Sequence, residues 1–218
     1  MVVLIGRSNF DLSPHDSPID VLYPRGTCIV QGDDVTVSPP DPPLADDAIE
    51  LVPLASIHAT ELDALAQDEL VRRYTLVPSD PPPGFGATWA DRYATAWRDG
   101  SGRAGFTIRD RATGEFLGLV MLVRLDLDAG EGEAGYVLAP AARGRGAAAR
   151  ALRLVTGWSF DTLGLERIEL RIDATNAASE AVACRAGYIR EGVLRSTYFK
   201  EGRRADVGVW SCLRSDRA

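Results

Sequence analysis

The sequence predicts an α/β fold, a mixed and mostly antiparallel sheet with helices on both faces. Three observations carry this. A hairpin pattern sits mid-chain, where residues 106–109 and 115–125 flank the turn Asp110-Arg111-Ala112-Thr113-Gly114. A strand–helix–strand crossover follows, from residues 134–138 through a helical pattern reaching about Leu163 to a strand at residues 168–172. Two closing strand patterns, near residues 188–194 and 207–213, complete an order that contains no internal repeat. One crossover among hairpins makes the sheet mixed.

Taken in order, residues 1–45 read as an N-terminal extension and residues 46–214 as the main body of the 218-residue chain. In the extension, Cys28-Ile29-Val30 and Val35-Thr36-Val37 flank Gly32-Asp33 as a hairpin, and SPPDPPL forms a stiff extended linker. It lacks the residue types that a site needs, so a packing arm or a homodimer contact is expected. Residues 48–54 form a short apolar strand, and helical spacing then runs through Leu62, Leu65, Leu70 and Val71, with Asp63 or Thr60 as cap. Prolines make PSDPPPG, residues 78–84, a loop that either walls a binding groove or only connects. A second helix is expected over residues 88–97, where Trp89, Tyr93 and Trp97 recur at helical spacing and read as core, with acceptor binding as the alternative. The acidic stretch DLDAGEGE leads into the crossover, and a further helix is expected over about residues 177–186.

Composition removes several function classes. A net charge of -7 argues against a nucleic-acid binder, whose affinity comes from counterion release by a basic surface, though a local basic patch is compatible with it. An acidic surface suits cationic or amine-bearing substrates. Three widely spaced cysteines, Cys28, Cys184 and Cys212, form neither a disulfide framework nor a zinc pattern, and His15 and His58 have no ligand partners, so no metal is expected. The opening MVVLIGRSNF lacks a basic n-region, and no run of about 18 apolar residues occurs, so neither a signal peptide nor a membrane span is expected, and the expected home is the cytoplasm.

The chemistry centres on residues 133–149, EAGYVLAPAARGRGAAA. A strand ends in a turn, and Arg143-Gly144-Arg145-Gly146 open a helix. Glycines let a ligand approach the backbone, and the unpaired N–H groups of a first helical turn favour phosphate or pyrophosphate. A Walker A loop is excluded because no Gly-Lys-Ser/Thr follows. Gly144, Gly146 and Ala149 spell a GxGxxA dinucleotide fingerprint, and Asp173 stands where a ribose-binding acid belongs, but the upstream hairpins and the single downstream helix cannot complete a doubly wound sheet. A structural glycine turn without a ligand is the third reading.

A fourth reading comes from resemblance. Arg143, Gly146 and Ala148 match the Arg/Gln-x-x-Gly-x-Gly/Ala motif of the GCN5-related N-acetyltransferases, the GNAT superfamily. The preceding strand carries Glu133, Gly135, Tyr136 and Leu138 in the Glu-x-Gly-Tyr-x-Leu order. Downstream, Asn176, Ser179, Val182, Arg185, Gly187 and Tyr188 resemble the Asn-x-x-Ser-x-x-Val-x-x-Lys-x-Gly-Phe signature of the ribosomal-protein N-terminal acetyltransferase branch (RimJ/RimL-like), as does the tail with Gly192, Tyr198, Gly202 and Asp206. The resemblance covers about residues 46–214.

It implies the GNAT acyl-CoA N-acyltransferase fold, acetyl-CoA as donor and an amine as acceptor. The pyrophosphate would sit on the N–H groups of Gly144, Arg145, Gly146, Ala147 and Ala148 with the charges of Arg143 and Arg145. Pantetheine would bond the main chain of Tyr136, Val137 and Leu138 between two splayed strands. The family's tyrosine acid, seven residues after the motif asparagine, is Ala183 here. Ser179 is then the expected donor to the departing sulfur, and a hydrogen bond can suffice because a thiol has a reference pKa near 8.5. Asn176 would place pantetheine or only cap its helix. Glu133 is the candidate base, directly or through water, or it orders the strand. An α-amine of pKa near 7.8 is about a tenth neutral at pH 7 and a lysine amine only about one time in 2,000, a handicap of ~3.5 kcal/mol that favours N-terminal acceptors. Small amines such as an antibiotic or polyamine, and a non-catalytic acyl-CoA-binding module, are the alternatives.

Overall fold

A computed structural model describes residues 2–3, 37–100 and 102–217. Their strands form one nine-stranded sheet. They are β1 (Val2–Val3), β2 (Leu44–Ala45), β3 (Ile49–Pro53), β4 (Ala104–Asp110), β5 (Phe116–Asp126), β6 (Glu131–Leu138), β7 (Arg167–Asp173), β8 (Ile189–Lys200) and β9 (Arg203–Leu213). Strands β2 to β6 run antiparallel in chain order, β6 and β7 are parallel, and β9 lies between β7 and β8. The mixed, mostly antiparallel sheet expected from the sequence is therefore present.

Five α-helices among the described residues cover its faces: α1 (Ala59–Ala66), α2 (Glu69–Tyr74), α3 (Phe85–Asp99), α4 (Ala147–Asp161) and α5 (Ala177–Arg185), with short 3-10 turns such as Pro140–Ala142 between them. Side chains alternate along β6, so Ala134, Tyr136 and Leu138 enter the core beneath α4 and α5, while Val137 joins the cluster beneath α1, α2 and α3. Trp89 and Tyr93 are buried in that second cluster, and Trp97 stacks edge-on against Phe106 at 5.3 Å, so all three aromatics pack as core.

Two local readings change. The first helical stretch is two helices, because Asp68 stops α1 from continuing: its Oδ1 accepts from Val71 N at 3.0 Å and caps α2. Asp63, read as a cap, instead accepts from Gly86 N at 2.7 Å and joins α1 to α3. The strands β8 and β9 also run longer than their apolar patterns, because their backbones pair from Ile189 opposite Ser211 to Lys200 opposite Arg203 and ladder hydrogen bonds do not require apolar side chains. The hairpin read at residues 28–37 lies, apart from Val37, outside the described residues, as does His15.

Candidate active site at the parting of β6 and β7

The parallel pair is in register only from Glu131 opposite Arg167 to Ala134 opposite Leu170. Beyond this point β7 stays with β9 as far as Asp173, while β6 stays with β5 as far as Leu138. The two strands part at Gly135. Their separation leaves Gly135, Tyr136, Val137 and Leu138 with one edge turned away from β7, and a strand edge offers N–H and C=O groups to an extended ligand. The backbone of β1 lies on this edge, with Val2 opposite Val137 and Val3 opposite Tyr136.

At the end of β6 the chain passes through the Pro140–Ala142 turn into Arg143-Gly144-Arg145-Gly146. Gly144 and Gly146 have φ of 78° and 84°, the left-handed region where glycine is unstrained. Gly146 is the N-cap of α4, and no side chain caps that end. A Cβ added at Gly144 or Gly146 would meet nothing within 4 Å, so there is open space beside the turn that leads into α4. This is the arrangement an anion needs. Arg143 is more committed than its sequence position suggests: it pairs with Asp68 at 2.6 Å and donates to Leu138 O at 3.1 Å, tying α2 to the end of β6. Burial raises the Asp68 carboxyl, but the Arg143 bond and the Val71 N–H outweigh it and hold the group below its ordinary value. The Arg143 Nε is buried without a partner and is a spare donor beside the turn. Arg145 is exposed.

On the other side of the gap, Asp173 Oδ1 accepts from Thr175 N at 2.9 Å and shapes the turn that delivers Asn176. Asn176 Oδ1 accepts from Ser179 N at 3.2 Å, so the capping expected of the asparagine is observed. Ser179 is fully buried, and its carbonyl accepts from Tyr136 Oη at 3.0 Å. The structure thus brings together the middle of β6 and the first turn of α5. Burial raises the Tyr136 phenol pKa, with the Ser179 carbonyl opposing in part, so the group stays protonated and donates. The hydroxyl of Tyr136 was not expected to take part. Its partner is 43 residues away, and no local spacing signals such a pair.

Glu133 faces the other side of the sheet. It shares the parity of Val137, and its charge acts on the buried phenol of Tyr93 in α3. Only 2% of its side chain is exposed, and Arg171 Nε lies 3.9 Å from its Oε2 while bonding Glu169 Oε1 at 2.8 Å. An adjacent guanidinium offsets the cost of burying a carboxylate. Glu133 and Ser179 therefore belong to opposite faces of the sheet. Among the described residues no group of three or more His, Cys, Asp or Glu could hold a metal, and no helix is long and apolar enough to cross a membrane.

This geometry has counterparts. A family model described as an acetyltransferase (GNAT) domain matches residues 49–189. An uncharacterised N-acetyltransferase, p20 of Bacillus licheniformis, is 30% identical over 113 residues, covering 52% of this chain and 64% of that protein. YdaF of Bacillus subtilis, provisionally named a ribosomal N-acetyltransferase, is 29% identical over 103 residues, covering 47% and 56%. The match thus spans less than two thirds of the length of these curated relatives. The crystal structure of spermidine N-acetyltransferase from Vibrio cholerae, solved with CoA and spermine, superposes with a TM-score of 0.68 at 22% identity, covering 78% of this chain and 98% of that one. At that identity the likeness is one of fold.

Proposed function

The chain belongs to the acetyltransferase (GNAT) domain family, and on that premise we propose that it moves acetyl from acetyl-CoA to a primary amine, most suitably a protein or peptide N-terminal α-amine, by direct attack. The observation that carries this is the conjunction at the parting of β6 and β7: a strand edge that β7 leaves and only the two residues of β1 cover, a helix N-terminus without a side-chain cap at its end and a buried serine beside it.

The residues fit the donor. The first-turn N–H groups of α4 and the Arg143 Nε would take the pyrophosphate, with the exposed charge of Arg145 in reach. The main chain of Tyr136, Val137 and Leu138 would bond pantetheine. Ser179, held at both backbone ends by Asn176 and Tyr136, would donate to sulfur. The amine nitrogen attacks the thioester carbon, the C–S bond breaks, and the sulfur leaves as a thiolate that takes up a proton. The proton shed by the amine passes through water toward Glu133, on the face opposite Ser179. An α-amine demands least of such a base because about a tenth of it is already neutral at pH 7.

Thermal shift separates this reading from dinucleotide binding. Acetyl-CoA and CoA are expected to raise the melting temperature, and stabilisation by NAD(P) alone would end it. Thiol release against N-terminal peptides, lysine peptides and small amines then tests turnover. Tight CoA binding without turnover on any acceptor would favour a non-catalytic binding module.

The position of β1 adds an expectation. Pantetheine and the Val2–Val3 backbone need the same edge of Tyr136 and Val137, so only one can hold it. Apparent affinity falls with the fraction of molecules whose site is clear, and a variant lacking residues 1–6 is expected to bind acetyl-CoA up to about tenfold more tightly. Calorimetric titration measures this. An unchanged Kd would mean that β1 does not compete.

A further inference from the structure

We infer that the acceptor is a peptide whose N-terminal amine is followed by acidic residues, an inference that rests on the acetyltransferase reading and names the substrate class of that site. On a chain of net charge -7, the groove of about 620 Å³ between α2, the loop after it and the tip of the β8–β9 hairpin gathers cations. Arg72 and Arg73 line it from α2, Lys200 and Arg203 from the hairpin, and the carboxylates facing them are Glu69 and Glu201. Four cations against two carboxylates leave an excess of two positive charges.

The bonding fixes these charges in place, and the pairing of Arg203 with Asp173 at 3.3 Å leaves an excess of one positive charge over Glu69, Glu201 and Asp173 together. Arg72 spends its guanidinium on the backbone carbonyls of Gln67 and Ser79, at 2.9 and 3.0 Å. Lys200 Nζ donates to the carbonyls of Arg72 and Val77. Arg73 lies over the ring of Tyr74 at 5.1 Å. Carbonyls and rings fix these cations in place without neutralising them. Glu201 is likewise fixed by Ser79, accepting from its N at 2.9 Å and from its hydroxyl, and is turned toward that residue. Burial lowers the Lys200 pKa, with Glu201 opposing and Arg203 and Arg72 adding to the effect.

The groove is coupled to the site. Arg203 NH2 meets Asp173 Oδ2 at 3.3 Å, and the other oxygen of Asp173 shapes the turn that carries Asn176. Val71, beside Arg72 in α2, packs in the same cluster as Val137, on the side of the sheet that Glu133 shares, so the helix that lines the groove lies over that side. A cationic wall repels a polyamine and attracts a peptide whose second and third residues are acidic. It also favours the neutral form of the arriving amine, since a nearby like charge disfavours an ammonium, and the neutral form is the nucleophile.

The test uses the full chain and two peptides, serine at the N-terminus followed by two aspartates or by two lysines, with spermidine as a third acceptor. The aspartate peptide is expected to have a kcat/KM at least about tenfold above the lysine peptide, with spermidine lower still, and the gap should shrink at high salt. Arg73→Glu, at an exposed position, should narrow the gap by about tenfold, with acetyl-CoA affinity as the folding control. Equal use of both peptides, or preference for lysine or spermidine, overturns the inference. Direct binding of the labelled peptides to the CoA-bound protein is measured alongside. If no acceptor turns over, the acetyltransferase reading fails, while the ratio of the two peptide Kd values still decides the charge preference.

Discussion

Ser179→Ala is expected to lower kcat about 10²-fold while leaving the Kd for acetyl-CoA within about threefold, the scale of losing one positioned donor from a reacting centre. Both backbone ends of Ser179 are held independently of its hydroxyl, its N–H by Asn176 Oδ1 and its carbonyl by Tyr136 Oη. Deleting Oγ therefore removes a donor without releasing the turn. The alanine also suits the helix. Thiol release gives kcat, and calorimetry gives Kd. An unchanged kcat would remove Ser179 from the mechanism, and a parallel loss of affinity would make it a binding group. Tyr136→Phe should cost less, about tenfold in kcat, because it withdraws one hydrogen bond that places Ser179 and leaves the hydroxyl itself present.

The largest expected stability effect lies in the neighbouring strand. Gly118 in β5 has φ of 148°, a value that L residues rarely adopt, and stands opposite Leu138 of β6. A Cβ there would lie 2.1 Å from Val137 O and 2.8 Å from Leu138 Cα. Both are main-chain atoms of a central strand and cannot swing aside as a side-chain end could. Gly118→Ala is expected to cost about 3–5 kcal/mol and lower the melting temperature by about 10 °C. Displacing Val137 and Leu138 also disturbs the edge offered to pantetheine, so acetyl-CoA affinity should fall with stability. Gly192→Ala is the control, since a Cβ at that position meets nothing within 4 Å. A Gly118→Ala protein melting with the wild type would show that β5 and β6 relax apart without cost.

The parts legible in the sequence share a property: each depends on neighbours along the chain. Alternating apolar residues, the two glycines of the Arg143–Gly146 turn and the capping of α5 by Asn176 are all set within a few positions, and the structure places them as expected. The break between α1 and α2 was equally local, in Asp68 followed by Glu69, but continued apolar spacing through Leu70 and Val71 masked it. The core role of Trp89 and Tyr93 followed from helical period alone.

What only the tertiary structure decided lies between residues far apart in the chain. Arg143 reaches Asp68 across 75 positions, and so serves the junction of α2 with β6 as well as any anion. Glu133 acquired a face and a guanidinium neighbour, Arg171, that no spacing announced. The extension, read as free of site chemistry, sends Val2–Val3 to the central edge. The cationic groove exists only because α2 and the β8–β9 tip meet, while the summed charge of -7 suggested an acidic surface. The sequence by itself determined the fold class and the glycine turn that opens α4, because periodicity, glycine conformation and caps are short-range. The tertiary structure decided which charges gather between α2 and the β8–β9 tip and what lies on the β6 edge, because side-chain meetings across the fold depend on packing and leave no periodic trace in the chain.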